Sequence, residues 1–82
     1  VEKEYEWDRL VIATGAKPIV PSIEGINLRG VYTVRLPDGA PEVKQGIASA
    51  ERIAVIGAGY IGLEMAEAAV RLGKKVLVFE AL

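Results

Sequence analysis

Three glycines and one glutamate are the residues of this sequence whose types and spacing predict ligand binding. Gly57, Gly59 and Gly62 have the spacing G-x-G-x-x-G, and Glu80 follows Gly57 by 23 residues. The first glycine allows a sharp turn, the second leaves room for a pyrophosphate beside the backbone, and the third lets a helix lie close to strands. The amides of the first helical turn then face the phosphates. A carboxylate at this distance accepts hydrogen bonds from ribose hydroxyls. The pattern predicts a dinucleotide site.

Two strands and a helix must position these residues. The run RIAVI (residues 52–56) predicts a short buried strand, and KKVLVFE (residues 74–80) predicts a second. Between them we expect a helix over residues 60–72, with Gly73 as its C-cap glycine. One apolar stripe of this helix consists of Ile61, Met65, Ala68, Ala69 and Leu72. Together these elements predict a βαβ unit with a right-handed crossover. The competing interpretation is that the glycines only shape a tight strand-to-helix turn, but the complete context favours a ligand.

The upstream half of the sequence predicts less regular structure. An apolar run over residues 10–13 predicts a buried strand that ends at Thr14 and Gly15, and KPIVP should be extended. Residues 25–49 have the composition of a connection between larger units. Within this zone, GVYTVRL predicts a short strand, and LPDGAPE predicts a turn in which Gly39 has a positive φ. Residues 42–50 predict a weak helix.

Composition excludes several classes of function. The 82 residues have a net charge of −1 and contain neither Cys nor His, so a disulfide framework, a thiol nucleophile and an imidazole base are excluded. We expect no nucleic-acid or membrane partner, because no basic block and no apolar run long enough to span a bilayer is present. No metal-binding residues are assigned. The acidic N-terminus is unlike a signal peptide. The ends of the chain, Val1 and Leu82, suggest a piece of a longer protein.

The motifs together resemble one enzyme family. WDRLVIATGAKPIVPSIEG and RIAVIGAGYIGLEMAEA are similar to segments of the pyridine nucleotide-disulfide oxidoreductases, which are FAD-dependent NAD(P)H reductases. The similarity is greatest to the branch of NADH oxidases, NADH peroxidases and coenzyme A-disulfide reductases. It implies that residues 1–25 end an FAD-binding segment, that 26–51 form an interdomain linker, and that 52–82 form the N-terminal βαβ half of an NAD(P)H-binding domain of Rossmann type.

The resemblance also implies roles for individual residues. The A-T-G motif, which consists of Ala13, Thr14 and Gly15, would lie against FAD. Alternatively, these residues only form an ordinary turn that ends a strand. NAD(P)H would be held by Gly57, Ala58, Gly59, Tyr60, Ile61, Gly62 and Glu80. Tyr60 would cover the nicotinamide slot, although a surface-packed aromatic is the simpler explanation. Glu64 would face the flavin and pair with a lysine of the FAD domain, or would only interact favourably with the helix dipole. No residue of this sequence is assigned a catalytic role.

The function implied by this resemblance is transfer of hydride from NAD(P)H to FAD. Electrons would then pass to a disulfide, oxygen, peroxide or a small redox protein. We expect NADH rather than NADPH, because a 2′-phosphate would be repelled by Glu80. A cytoplasmic location and a homo-oligomer are also expected. The chain alone lacks a redox cysteine and should be inactive. Two alternatives are an isolated nucleotide-binding module and an inert, self-associating fragment.

A two-stranded parallel sheet covered by one helix predicts an exposed apolar surface and an unpaired strand edge. We therefore expect either that the chain associates with itself or that its connecting zone folds back onto the sheet.

Overall fold

The computed structural model describes residues 2–35 and 39–81 as an α/β structure with four regular elements. These are α1 (Ala40–Ser49), β1 (Arg52–Ile56), α2 (Tyr60–Arg71) and β2 (Lys75–Phe79). The two strands pair in parallel, with Arg52 opposite Lys75 and Ile56 opposite Phe79. Helix α2 connects the strands and packs against both of them. The predicted βαβ arrangement is therefore confirmed, whereas the handedness of its crossover stays a prediction.

Small residues form the face of α2 that packs on the sheet. Among the described residues, the buried hydrophobic side chains are Ala66 and Ala69, the latter only 1% exposed. The predicted stripe was therefore only partly right: it included Ala69, but Ile61 and Leu72 are exposed and Met65 is half-buried. Small residues let the helix approach the strands closely, and close approach leaves no space for larger side chains between them.

The C-terminus of α2 is closed by glycine, as predicted. Gly73 has a φ of 78°. Its N–H donates to the Val70 carbonyl at 2.9 Å, and the Lys74 N–H donates to the Ala69 carbonyl at 3.1 Å. This pair of bonds is a Schellman motif, which needs a left-handed residue at the position of Gly73. The turn allows β2 to begin at Lys75, directly after the helix.

The connecting zone contains the predicted helix, α1, which begins two residues earlier than expected. Pro41 lies in its first turn, where a missing N–H costs no hydrogen bond. The prediction of a positive φ at Gly39 was wrong: its φ is −86°, because it serves as the N-cap of α1. Of the other residues of the predicted turn, Leu36 to Asp38 lie outside the described residues, whereas Ala40 to Glu42 form the first turn of α1 instead. At the other end of α1, the Lys74 Nζ donates to the Ala48 carbonyl at 3.0 Å.

Two predicted upstream strands do not form among the described residues. Residues 10–13 have no assigned secondary structure and are exposed, Val11 by 85%. Residues 31–35 of GVYTVRL are likewise not in a strand, and Leu36 lies outside the description. The physical reason is that a strand needs a neighbour for its backbone hydrogen bonds. The described sheet contains only β1 and β2, so neither apolar run has a partner there.

Apolar side chains of the sheet remain exposed, as expected. Ile56, Phe79 and Leu77 are exposed, the last by 64%. The connecting zone does not cover these side chains. An apolar cleft of about 290 Å³ separates the two helices and is lined by residues that include Val34, Val43, Ile47, Met65, Ala68 and Leu72. Self-association of the chain stays a prediction. Neither described helix combines the length and the hydropathy that crossing a bilayer requires.

Candidate dinucleotide-binding site

Gly57 begins the loop between β1 and α2 and turns the chain out of the strand. Its φ of 102° lies in a region that side chains other than hydrogen rarely allow. The Gly57 N–H donates to the Phe79 carbonyl at 2.8 Å, which continues the parallel pairing one residue past β1. The loop therefore starts from a fixed point at the carboxyl edge of the sheet, where ligands bind in open α/β sheets.

Gly62 lies in the first turn of α2 and allows the helix to rest on the loop. A Cβ atom at this position would lie 1.8 Å from the Gly57 carbonyl oxygen and 3.3 Å from Val55 Cγ1. The first distance is far below any possible contact between a carbon and an oxygen atom. Packing within the chain therefore accounts fully for glycine at position 62.

Gly59 differs from the other two glycines, because neither strain nor packing requires it. Its φ of −73° and ψ of −173° are available to any residue. A Cβ atom at this position would meet no atom within 4 Å. The interpretation that the glycines only shape a turn explains Gly57 and Gly62 but not Gly59. A ligand that approaches the backbone here would explain the absence of a side chain.

The N-terminus of α2 presents backbone donors without a capping side chain. Gly59 is the N-cap, and the first turn of α2 contains no acidic residue. The first amide within the helical hydrogen-bond ladder is that of Leu63, which donates to the Gly59 carbonyl at 3.0 Å. The N–H groups of Tyr60, Ile61 and Gly62 precede this bond and have no acceptor in the helix. Together with the partial positive charge of the helix N-terminus, these donors suit a phosphate group.

Glu80 follows β2 and reaches the glycine loop. Its Oε2 accepts a hydrogen bond of 2.5 Å from the Ala58 N–H, and its Oε1 accepts one of 3.0 Å from the Ala81 N–H. The sequence predicted the position of Glu80 at the end of a strand but missed its bond to Ala58. The signal was present in the parallel topology, because residues that follow two adjacent parallel strands emerge at the same edge.

Tyr60 and Glu64 project from the start of α2. The side chain of Tyr60 is 92% exposed, so the simpler explanation, that its ring packs against the surface of this chain, does not hold for the described residues. Glu64 lies one turn further along and is also exposed. Neither the nicotinamide role of Tyr60 nor the flavin role of Glu64 is tested by the geometry.

The A-T-G residues are not brought to the glycine loop by the described interactions. Ala13, Thr14 and Gly15 are exposed, and no hydrogen bond found among residues 2–35 and 39–81 joins them to Gly57 or its neighbours. Gly15 has a φ of 78°, so its conformation favours glycine. A Cβ atom there would lie 3.3 Å from the Arg35 guanidinium. The predicted contact of these residues with FAD stays a prediction.

The fold and the loop define the class: an α/β unit with a Rossmann-like βαβ arrangement and a glycine-rich loop at its carboxyl edge. The family model described as pyridine nucleotide-disulphide oxidoreductase matches residues 1–82. The chain therefore belongs to this family, as the sequence motifs predicted.

Similar proteins differ in the activities that their names state. Over 77 residues, 92% of this chain, it is 52% identical to an NAD(P)H sulfur oxidoreductase (CoA-dependent) from Pyrococcus abyssi and 48% identical to an NADH oxidase from Lactococcus lactis subsp. cremoris. It is 43% identical to the large subunit of a nitrite reductase [NAD(P)H] from Klebsiella oxytoca over 94% of this chain. The aligned segment covers 17% of each of the first two relatives and 8% of the third. The chain thus spans about a sixth or less of these curated relatives.

Proposed function

We propose that this chain binds NAD(P)H at the loop between β1 and α2 and forms part of a flavin-dependent NAD(P)H oxidoreductase. The observation that carries the proposal is the open position at Gly59, next to the uncapped N-terminus of α2. Neither backbone strain nor packing within the chain requires glycine there, and a pyrophosphate against the backbone would require it. The names of the three relatives support the cofactor class, because each includes NADH or NAD(P)H.

The proposed contacts divide the cofactor between the glycine loop and Glu80 at the end of β2. The amides of Tyr60, Ile61 and Gly62 would hold the pyrophosphate, with Gly57, Ala58 and Gly59 shaping its approach. The Glu80 carboxylate, which lies at the same edge of the sheet, would accept hydrogen bonds from the adenosine ribose. NADH is favoured over NADPH because a 2′-phosphate beside this carboxylate would be repelled.

The flavin side of the proposal involves residues upstream of the sheet. Residues 1–25 would end an FAD-binding segment, 26–51 would link it to the NAD(P)H-binding unit over 52–82, and Ala13 to Gly15 would lie against FAD. The exposed apolar side chains at residues 10–12 suit a strand whose neighbours belong to such a segment. Tyr60 would cover the nicotinamide position and Glu64 would face the flavin. When bound, the nicotinamide and the flavin supply the hydride transfer.

The electron acceptor stays open among a disulfide, oxygen, peroxide and a small redox protein. The names of the relatives differ on this point, with sulfur and nitrite both represented. Association into a homo-oligomer is part of the proposal and is supported by the exposed side chains of Ile56, Leu77 and Phe79. The cytoplasmic location stays a prediction.

A titration with NADH and a single substitution tests the binding step. The Gly59→Ala variant should fold with a loss of only about 1 kcal/mol for alanine at the N-cap, because its φ suits alanine and its Cβ would meet no atom of the chain. The added methyl group would occupy the space of the pyrophosphate and displace at least one charge-assisted hydrogen bond. We expect the dissociation constant for NADH to rise about tenfold or more, since such a bond contributes roughly 1.5–3 kcal/mol.

NADH fluorescence measures the affinity, and the melting temperature by circular dichroism is the control for folding. Equal affinity of wild type and Gly59→Ala would place the cofactor elsewhere. A wild-type chain that shows no saturable binding of NADH would refute the proposed function.

A further inference from the structure

The Glu80 carboxylate, which we propose binds the ribose, also accepts a hydrogen bond from the glycine loop. The Ala58 N–H is one of the backbone donors in the segment from Gly57 to Gly62, and it donates to Glu80 Oε2 at 2.5 Å. The second oxygen, Oε1, is held by the Ala81 N–H at 3.0 Å. Both oxygens of the carboxylate are therefore oriented by backbone donors, one from each strand end.

The loop needs such a restraint because of its composition. Ala58 lies between two glycines, which have the largest conformational freedom of all residues. The Gly57 N–H is fixed by the Phe79 carbonyl, and the Gly59 carbonyl by the Leu63 N–H. Between these two backbone bonds, the described structure holds the loop by the hydrogen bond from the Ala58 N–H to the Glu80 side chain.

We propose that Glu80 is a positioning residue that orders the phosphate-binding loop before the cofactor arrives. This role is separate from the ribose contact and rests on the proposed function of the loop. A carboxylate can accept about four hydrogen bonds, so bonds to the loop and to a ribose are compatible on one side chain. Ordering a loop in its binding conformation raises affinity, because less conformational entropy is lost on binding.

The two roles of Glu80 predict different effects on a cofactor without ribose hydroxyls. The probes are NADH and an NADH analogue whose adenosine ribose lacks the 2′ and 3′ hydroxyl groups. If Glu80 only binds the ribose, Glu80→Ala leaves the affinity for the analogue unchanged. If Glu80 orders the loop, Glu80→Ala weakens binding of the analogue as well, by about tenfold for one charge-assisted bond. Glu80→Gln retains an acceptor oxygen for the Ala58 N–H and should recover part of this loss.

Glu51→Ala is the matched control for charge. Glu51 is an exposed acid that precedes β1, at the edge of the sheet opposite the loop. Its removal changes the net charge by the same amount as Glu80→Ala but should not alter affinity for either probe.

Amide hydrogen exchange provides a readout that needs no nucleotide. In Glu80→Ala, the Ala58 amide should exchange about tenfold faster than in the wild type. The neighbouring Gly57 amide bonds to a backbone carbonyl and should keep its rate. Equal acceleration at Gly57 and Ala58 would show that the end of β2 has unfolded and would overturn the positioning role.

An unchanged affinity of Glu80→Ala for the ribose-deficient analogue would also overturn it. If the wild type binds neither nucleotide, the proposed function fails. The exchange rates at Ala58 and Gly57 then still decide whether Glu80 orders the loop.

Discussion

The contact between α2 and the glycine loop predicts a large loss of stability for Gly62→Ala. The new Cβ atom would lie 1.8 Å from the Gly57 carbonyl oxygen, whereas ordinary contacts of a Cβ atom begin near 3.4 Å. The helix and the loop would have to separate by about 1.6 Å. The obstructing atom belongs to the backbone, so no side-chain rotation relieves the clash. Separation would also withdraw Ala66 and Ala69 from the strands, and these are the buried hydrophobic residues of the described structure.

The expected magnitude is near the upper end for overpacked sites, which is about 3 kcal/mol. A chain of 82 residues has a total stability of roughly 4–12 kcal/mol at 0.05–0.15 kcal/mol per residue. Each kcal/mol corresponds to about 4–8 °C in the melting temperature of a domain of this size, so the midpoint should fall by roughly 12–24 °C. Thermal and urea unfolding followed by far-ultraviolet circular dichroism measure both quantities.

Gly59→Ala is the matched control for this experiment. It makes the same chemical change three residues earlier, at an open position with an ordinary φ, and should lower the unfolding midpoint only by about 4–8 °C, for the loss of about 1 kcal/mol with alanine at the N-cap. If Gly62→Ala is as stable as the control, the close contact between helix and loop does not exist in solution. The steric explanation for the third glycine would then be wrong.

Two further predictions concern residues at the ends of α2 and β2. Gly73→Ala should destabilise the chain by about 1–2 kcal/mol, because alanine is strained at a φ of 78°. Urea unfolding measures this loss, and a smaller loss for Gly73→Asn would support the conformational cause. Wild-type stability of Gly73→Ala would contradict it. Glu80→Arg should shift the ratio of dissociation constants for NADH and NADPH toward NADPH, because it replaces repulsion of a 2′-phosphate by attraction. An unchanged ratio in paired titrations would remove Glu80 from the ribose site.

The elements that the sequence predicted correctly are those fixed by local interactions. The strands over residues 52–56 and 75–79 and the helix between them have strong apolar patterns. Gly73 ends α2 through hydrogen bonds to residues of the same helix, so its role follows from neighbouring sequence alone. The G-x-G-x-x-G spacing likewise indicated where the loop lies. Its use as a cofactor site stays a proposal.

Apart from the local error at Gly39, the predictions that failed depended on contacts between distant residues. The apolar run over residues 10–13 has the composition of a strand but lacks a partner in the described sheet, and an unpaired strand cannot satisfy its backbone. The apolar stripe of α2 was misplaced because the close approach at Gly62 selects small residues, Ala66 and Ala69, for the contact face. Side-chain hydropathy does not report how near a helix lies to a sheet.

By itself, the sequence determined the order of strand, loop, helix and strand and the family to which the chain belongs. Periodicity and turn chemistry encode the order of these elements within a few consecutive residues, whereas the family was indicated by the resemblance of the motifs. Only the tertiary structure decided which glycines are required by packing and which leaves open space, since a Cβ atom at Gly62 would meet the Gly57 carbonyl whereas one at Gly59 would meet no atom within 4 Å. It also decided that Glu80 meets the Ala58 amide, because parallel pairing brings together two chain segments that are 22 residues apart.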